Sequence, residues 1–127
     1  MLYSPKDYST AELKALCLTS LDSSKALDVV CIDVHEHSSI TDEMIITTGT
    51  SNRHVSAMAE RLVEYLAKHD IHGVQTSGEQ EGKWVIVDVG RVIVHLMQES
   101  ERERYQLDNL YKCMAAGLTE DEAFAAS

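Results

Sequence analysis

Two stretches of the chain carry apolar residues at the spacing of an amphipathic α-helix. The clearer stretch repeats them every three or four positions, which predicts a helix after Asn52. Its apolar stripe consists of Val55, Met58, Ala59, Leu62, Val63 and Leu66. Its charged residues lie off this stripe and should face water; they are Arg53, Glu60, Arg61, Glu64 and Lys68. Near the start of the chain, Ser9 and Glu12 fit a capping box, which predicts a first helix from about Thr10 to Leu21.

Four apolar runs have the composition of β-strands. Leu27–Val34 and Met44–Thr48 are β-branched and almost continuously apolar, which is typical of strands covered on both faces. Trp84–Val89 and Val92–Met97 flank the dipeptide Gly90-Arg91. Two residues with glycine first predict a β-hairpin with a type II′ turn.

The remaining segments are predicted loops, a helix stop and a last helix. Residues 35–42 and 75–83 are predicted to be loops, and Gly73 is a plausible stop after the second helix. The charge run Glu99–Arg104 leads into a last helix that ends at Gly117 and carries Tyr105, Leu107, Leu110, Tyr111 and Met114. The order helix, strand, strand, helix, strand, strand, helix predicts an α/β fold with a single mixed sheet and helices packed on it.

One domain accounts for this organisation. Residues 1–26 form its N-terminal helix, residues 27–116 its core, and residues 117–127 an acidic, Ala-rich tail whose composition is compatible with disorder. The chain of 127 residues has 44% hydrophobic content, enough to build one compact core.

Charge restricts the class of partner. The formal net charge is −10, from 21 acidic and 11 basic residues. Such a surface is repelled by nucleic-acid phosphates and attracted to basic proteins, so little or no direct nucleic-acid contact is expected. The three cysteines are widely spaced, which argues against a disulfide framework or a zinc site. No apolar run approaches membrane-spanning length and no signal peptide opens the chain, so we expect a cytoplasmic protein without membrane contact.

The turn Gly49-Thr50-Ser51 lies between a predicted strand and a predicted helix, a geometry that suits anion binding. Nucleotidyltransferases use such a turn together with two carboxylates on a neighbouring strand that hold magnesium. Here Asp33 and Asp88 each stand alone between apolar residues. An ordinary turn with capping residues therefore explains these residues better than nucleotide transfer does, and we predict that the protein is not an enzyme.

The histidines give no metal or cofactor site. His35 and His37 alternate, and His69 and His72 straddle a predicted helix end, but two ligands do not make a catalytic centre. His95 differs because it interrupts an apolar strand. A core histidine paired with a carboxylate and a histidine in a surface site both remain open.

Three blocks of sequence resemble the ribosomal silencing factor family, also called Iojap-like. They are Ser38–Asp42 with Ile46–Val55, then Gly82–Gly90 with Val92–His95, and finally Arg102–Tyr111. Their order and spacing agree over about Leu27 to Tyr111, most of the chain. The chain departs from the usual family pattern at Glu43-Met44, Arg91 and Tyr111, which leaves details of the interface open.

This resemblance implies a nucleotidyltransferase-like fold without a known transferase activity. It also implies that the protein binds the large ribosomal subunit through ribosomal protein L-fourteen, blocks subunit joining and lowers translation when nutrients are short. A homodimer is implied as well. Organellar relatives act in assembly of the large subunit, so a role as an assembly factor is the alternative, with a residual nucleotidyltransferase a weaker one.

The resemblance and the chemistry of interfaces together suggest which residues face the partner. Tryptophan, tyrosine and arginine dominate interface hot spots, so Trp84 is the natural anchor. The predicted partner-binding group is Thr41, Asp42, Trp84, Asp88, His95, Arg102 and Tyr105. Alternatively some of these residues hold the fold, for instance through a buried Asp88–Arg102 pair that orients the last helix.

Overall fold

Both predicted N-terminal caps are present in the computed structural model, which describes residues 8–36 and 41–115. The Ser9 side chain accepts the backbone N–H of Glu12, whose carboxylate accepts the backbone N–H of Ser9, both at 3.1 Å. This capping box starts α1 (Thr10–Ser23). The Ser51 hydroxyl accepts the backbone N–H of His54 at 3.0 Å and starts α2 (Asn52–Lys68). The predicted stripe of α2 is buried, with Val63 half-buried.

A single mixed sheet forms the centre of the protein, as predicted, and it has five strands where four were predicted. Its strands are β1 (Leu27–Asp33), β2 (Glu43–Gly49), β3 (Gln75–Ser77), β4 (Trp84–Asp88) and β5 (Val92–Gln98). They lie in the order β1-β2-β5-β4-β3. β2 and β5 are parallel, and the other neighbours are antiparallel. The predicted hairpin is present, since Val89 N–H donates to the Val92 carbonyl at 2.9 Å and Gly90 has a φ of 93°.

Side chains alternate along each strand, so the core residues are divided between the two faces of the sheet. On one face, α1 and α2 pack against the side chains of Val85, Val87 and Val94. On the other face lie α3 (Glu99–Tyr105) and α4 (Leu107–Ala115), and α4 contributes Leu107 and Leu110 to a second cluster. Within the described residues, no helix is long and apolar enough to cross a membrane.

The prediction that β1 is covered on both faces is wrong. β1 is an edge strand, and Leu27 and Val29 are 44% and 38% exposed. A continuous apolar run indicates a strand, but it does not reveal whether that strand lies at the centre or the edge of its sheet. The same prediction is right for β2, which is buried along its whole length.

Three boundaries also differ from the prediction. Residues 75–83 are not all loop, because β3 forms at their start and pairs with β4. The charge run is itself helical, and Gln106 in a left-handed conformation (φ 53°) separates α3 from α4 where one helix was predicted. α2 ends at Lys68, well before Gly73. The tail 117–127, the predicted stop at Gly117 and His37 lie outside the described residues.

Gly49 is required for packing at the turn between β2 and α2. A Cβ atom there would lie 2.6 Å from Val55 Cγ2 and 2.9 Å from Met58 Cε. We therefore expect Gly49→Ala to lower the free energy of unfolding by about 2 kcal/mol, as overpacking of a core does. Urea denaturation measures this loss. In a Val55→Ala background, which makes room for the added methyl group, Gly49→Ala should cost less than it does in the wild type. A loss unchanged by Val55→Ala would contradict the steric explanation.

Candidate partner-binding surface

On one face of the sheet, the side chains of β4 remain partly accessible beside α4. The side chains of β4 alternate, so that Val85 and Val87 are buried beneath α2, whereas Trp84, Ile86 and Asp88 are half-buried on the opposite face. On that opposite face α4 lies over β1 and β2, away from β4. We call the patch formed by Trp84, Ile86 and Tyr105 the aromatic surface. It is partly apolar and accessible, as the centre of a binding interface requires.

Trp84 is the centre of the aromatic surface and is fixed from two sides. Its indole Nε1–H donates to Nδ1 of His95 at 3.1 Å, across the β4–β5 pair. Its ring also contacts the ring of Tyr105, with the centroids 4.9 Å apart and the planes tilted by 43°. A tryptophan held in this way loses little conformational entropy on binding, which favours its use as an anchor.

His95 supports Trp84 from below rather than facing a partner. Its side chain is only 5% exposed, and burial lowers its pKa from 6.5 to about 4. The ring is therefore neutral near pH 7. Because Nδ1 accepts the indole hydrogen, the neutral ring must carry its proton on Nε2. Of the two alternatives, the burial of His95 agrees with a core histidine, and the indole of Trp84 donates to its Nδ1.

Two contributors to this surface were not predicted. Ile86 lies two residues after Trp84 on the same face of β4 and is half-buried. The guanidinium of Arg104 lies 5.6 Å from the centroid of the Tyr105 ring, and Tyr105 itself is 42% exposed. Period-two alternation starting at Trp84 indicates Ile86, whereas nothing in the sequence distinguishes Arg104 from the other charged residues of its helix.

Asp88, Thr41 and Asp42 lie at the other end of the sheet. Asp88 accepts the backbone N–H of Gly90 at 2.8 Å and so stabilises the hairpin turn. Asp42 accepts the hydroxyl of Thr10 at 2.8 Å, and Thr41 is buried. Most of the length of β5 separates Thr41 and Asp42 from Trp84, roughly 20 Å at the usual rise per residue. Asp88 is closer, since it lies four residues from Trp84, roughly 13 Å away, on the same face of β4 as Trp84 and Ile86. The structure therefore leaves Thr41 and Asp42 outside the aromatic surface and places Asp88 at its border.

Arg102 pairs with Asp108, so the predicted Asp88–Arg102 pair is wrong. Its guanidinium donates to both carboxylate oxygens of Asp108, at 3.1 and 2.7 Å. It also donates to the Asp28 carbonyl at 2.7 Å and to the Thr48 hydroxyl at 2.9 Å. The side chain of Arg102 is only 13% exposed. These contacts join α3 and α4 to β1 and β2, a positioning role that sequence spacing could not reveal.

The other candidate sites contain ordinary structural contacts. His35 and Asp33 form an exposed pair at 2.5 Å. The three cysteines are free, and burial raises the pKa of the Cys17 thiol to about 12. Among the described residues, no group of three histidine, cysteine, aspartate or glutamate side chains could hold a metal ion. The turn at Gly49 is explained by its capping and packing contacts.

Comparison with known proteins gives consistent matches. The family model "Ribosomal silencing factor during starvation" matches residues 7–125. "Ribosomal silencing factor RsfS" of Haemophilus influenzae is 46% identical over 94 residues, which cover 74% of this chain and 92% of that protein. "Mitochondrial assembly of ribosomal large subunit protein 1" of Mus musculus is 33% identical over 111 residues, 84% of this chain but 49% of the mouse protein.

A solved structure agrees with these matches. A crystal structure of a protein from Chromobacterium violaceum has a TM-score of 0.80 and 31% sequence identity, covering 83% of this chain and 88% of that one. Likeness in sequence and in fold thus extends over most of the chain. The chain belongs to the ribosomal silencing factor family.

Proposed function

We propose that this protein binds the large ribosomal subunit through ribosomal protein L-fourteen, blocks joining of the small subunit and represses translation when nutrients are limiting. It acts in the cytoplasm, by occupying a surface and not by catalysis. The observation that carries the proposal is the aromatic surface, where Trp84 is held against Tyr105 on the partly accessible face of β4. Membership of the ribosomal silencing factor family supports the ribosomal partner.

Charge supports a protein partner over ribosomal RNA. With a net charge of −10, the chain is attracted to a basic ribosomal protein and repelled by phosphates. Complementary charge would raise the association rate and fix the orientation, while Trp84 and Tyr105 would supply most of the binding energy. Binding to the large subunit should therefore weaken at high salt without disappearing.

We expect Trp84→Ala to weaken binding to mature large subunits by roughly tenfold to thirtyfold, in keeping with the loss of one aromatic hot spot. Sedimentation of the purified protein with separated large and small subunits measures both binding and subunit joining. Wild-type protein should travel with large subunits and reduce joining, and Trp84→Ala should do both poorly.

The matched control is Leu27→Ala, which removes an accessible apolar side chain at the far edge of the sheet. It should bind like the wild type. Circular dichroism must show that each variant is folded. Wild-type protein that ignores mature large subunits, or equal losses for the two variants, would contradict the proposal.

The alternative function is assembly of the large subunit. It is favoured by the mouse relative, whose name places it in assembly of the mitochondrial ribosomal large subunit. An assembly factor would bind immature large subunits and would not bind mature ones. The same sedimentation experiment with immature subunits as bait separates the two functions.

A further inference from the structure

A groove lies between α2 and β3, on the sheet face opposite the aromatic surface. Its volume is about 450 Å³. One wall consists of Ser56, Ala59, Glu60, Val63 and Glu64, which follow one another at helical spacing along α2. The other wall consists of Val74, Thr76 and Glu79. This groove explains why Val63, part of the predicted stripe, is only half-buried.

The floor of the groove is apolar and its rim is acidic. Ala59 is buried, and Val63 and Val74 pack against the core from its edge. Glu60, Glu64 and Glu79 are exposed along the rim. Among the described residues that line the groove, three are glutamates and none is a lysine or an arginine. A positively charged occupant with an aliphatic side chain therefore complements both the rim and the floor.

Hydrogen bonds fix one end of the groove in place. The Ser56 hydroxyl donates to the Glu79 carbonyl at 3.0 Å, which ties the loop after β3 to α2. The Thr76 hydroxyl donates to the carboxylate of Glu79, also at 3.0 Å, and so holds that acid at the rim. A preformed acidic end lowers the entropic cost of binding a cation there.

β3 adds an edge on which a peptide can form hydrogen bonds. It is the last strand of the sheet, pairs with β4 on one side and is exposed at all three of its residues. Its sequence Gln75-Thr76-Ser77 contains neither proline nor lysine, the residues that commonly protect a sheet edge. An extended segment can therefore add to β3 as a further strand.

We propose that the groove between α2 and β3 binds an extended basic protein segment, with an aliphatic residue over Val63 and Val74 and flanking Lys or Arg side chains against Glu60, Glu64 and Glu79. The complementary charge favours such a segment over a nucleic acid or an acidic tail. The groove and the aromatic surface lie on opposite faces, so both can be occupied at once. This inference does not depend on the proposed ribosomal function.

The probe is a fluorescein-labelled peptide of sequence Lys-Val-Arg-Val-Lys-Val-Arg, and the control peptide has Glu at the four basic positions. Fluorescence anisotropy should show binding of the basic peptide that weakens with added salt, and no binding of the acidic one. Amide chemical shifts in a titration followed by NMR should change for residues 59–64 and 74–79 and not around Trp84.

Charge reversal tests the rim directly. Glu60→Lys with Glu64→Lys should weaken peptide binding by about tenfold or more, because it replaces attraction with repulsion. The matched control is Glu99→Lys with Glu103→Lys, an equal charge change at equal spacing on α3. It should weaken binding by no more than about twofold, the effect of net charge alone.

Several results would overturn the proposal. They are equal losses for the two double variants, equal binding of the acidic peptide, shift changes centred on Trp84, and the absence of binding at about millimolar peptide. Shifts of the groove residues that depend on protein concentration without peptide would assign the groove to a second copy of the chain instead. Because ribosomal subunits are not used, these results are separate from those that test Trp84.

Discussion

Lowering the pH from about 7 to about 4 is expected to remove about 3 kcal/mol from the free energy of unfolding through His95 alone. Burial lowers the pKa of His95 from 6.5 in the unfolded chain to about 4 in the folded protein. Well above pH 6.5 the ring is neutral in both states and contributes no pH dependence. Between 6.5 and 4 the unfolded chain binds the extra proton, so stability falls as the pH falls.

Protonation of His95 would also break its contact with Trp84. A charged imidazole donates from both nitrogens, so Nδ1 can no longer accept the indole Nε1–H. Acid therefore removes the hydrogen bond that holds Trp84 in place within the aromatic surface. Trp84 is the only tryptophan of the chain, and its fluorescence reports on this position directly.

His95→Asn isolates this contribution, because an amide can accept the indole hydrogen but does not titrate. Urea denaturation of both proteins, followed by Trp84 fluorescence, gives the free energy of unfolding at each pH. The difference between wild type and variant should shift by about 3 kcal/mol in favour of the variant on going from about pH 7 to about pH 4. An equal difference at both values, or an imidazole that titrates near 6.5 by NMR, would contradict the prediction.

Much of the fold could be predicted because several of its elements carry strong local signals. α2 has an uninterrupted apolar stripe and a serine cap, and the β4–β5 hairpin has a glycine where positive φ is needed. In both cases neighbouring residues along the chain determine the conformation. The mixed sheet then follows from the order of these elements.

The missed features depend on contacts between distant parts of the chain. β3 is a polar strand whose pairing with β4 is visible only once the sheet is formed. The separation of α3 from α4 depends on Gln106 in the left-handed region, which is uncommon for a residue other than glycine. The edge position of β1 depends on strand order, which its apolar composition does not record.

Some residues of the candidate site were predicted correctly, and others proved to make contacts within the protein. Trp84, His95 and Tyr105 were predicted and lie together in the structure. Asp88 was named as an interface residue within the second block of the resemblance, yet its carboxylate stabilises the hairpin turn. Arg102 was named as an interface residue, yet its guanidinium is directed into the protein. Residue type predicts a capacity for binding, whereas neighbours in space determine whether that capacity is used internally.

Replacing Arg102 with methionine is expected to lower the free energy of unfolding by about 3 kcal/mol, because it breaks a partly buried ion pair and two further hydrogen bonds of the guanidinium. Methionine retains much of the apolar stem but leaves the Asp28 carbonyl, the Thr48 hydroxyl and the Asp108 carboxylate without the guanidinium. Although burial alone would raise the pKa of Asp108, the hydrogen bonds and charge of Arg102 outweigh it and hold that pKa below 3.8. Removing Arg102 should therefore raise the pKa of Asp108.

Arg104→Met is the matched control, because Arg104 lies on the same helix but is exposed, and it should change stability by less than about 0.5 kcal/mol. Asp108→Asn completes a double-mutant cycle, and coupling of about 1 to 2 kcal/mol with Arg102→Met would show that the pair itself is stabilising. Equal stability of the Arg102 and Arg104 variants would refute the positioning role. If Arg102 instead faces the ribosome, Arg102→Met would weaken subunit binding while leaving urea denaturation unchanged, so the two measurements together decide between the interface prediction and the structural role.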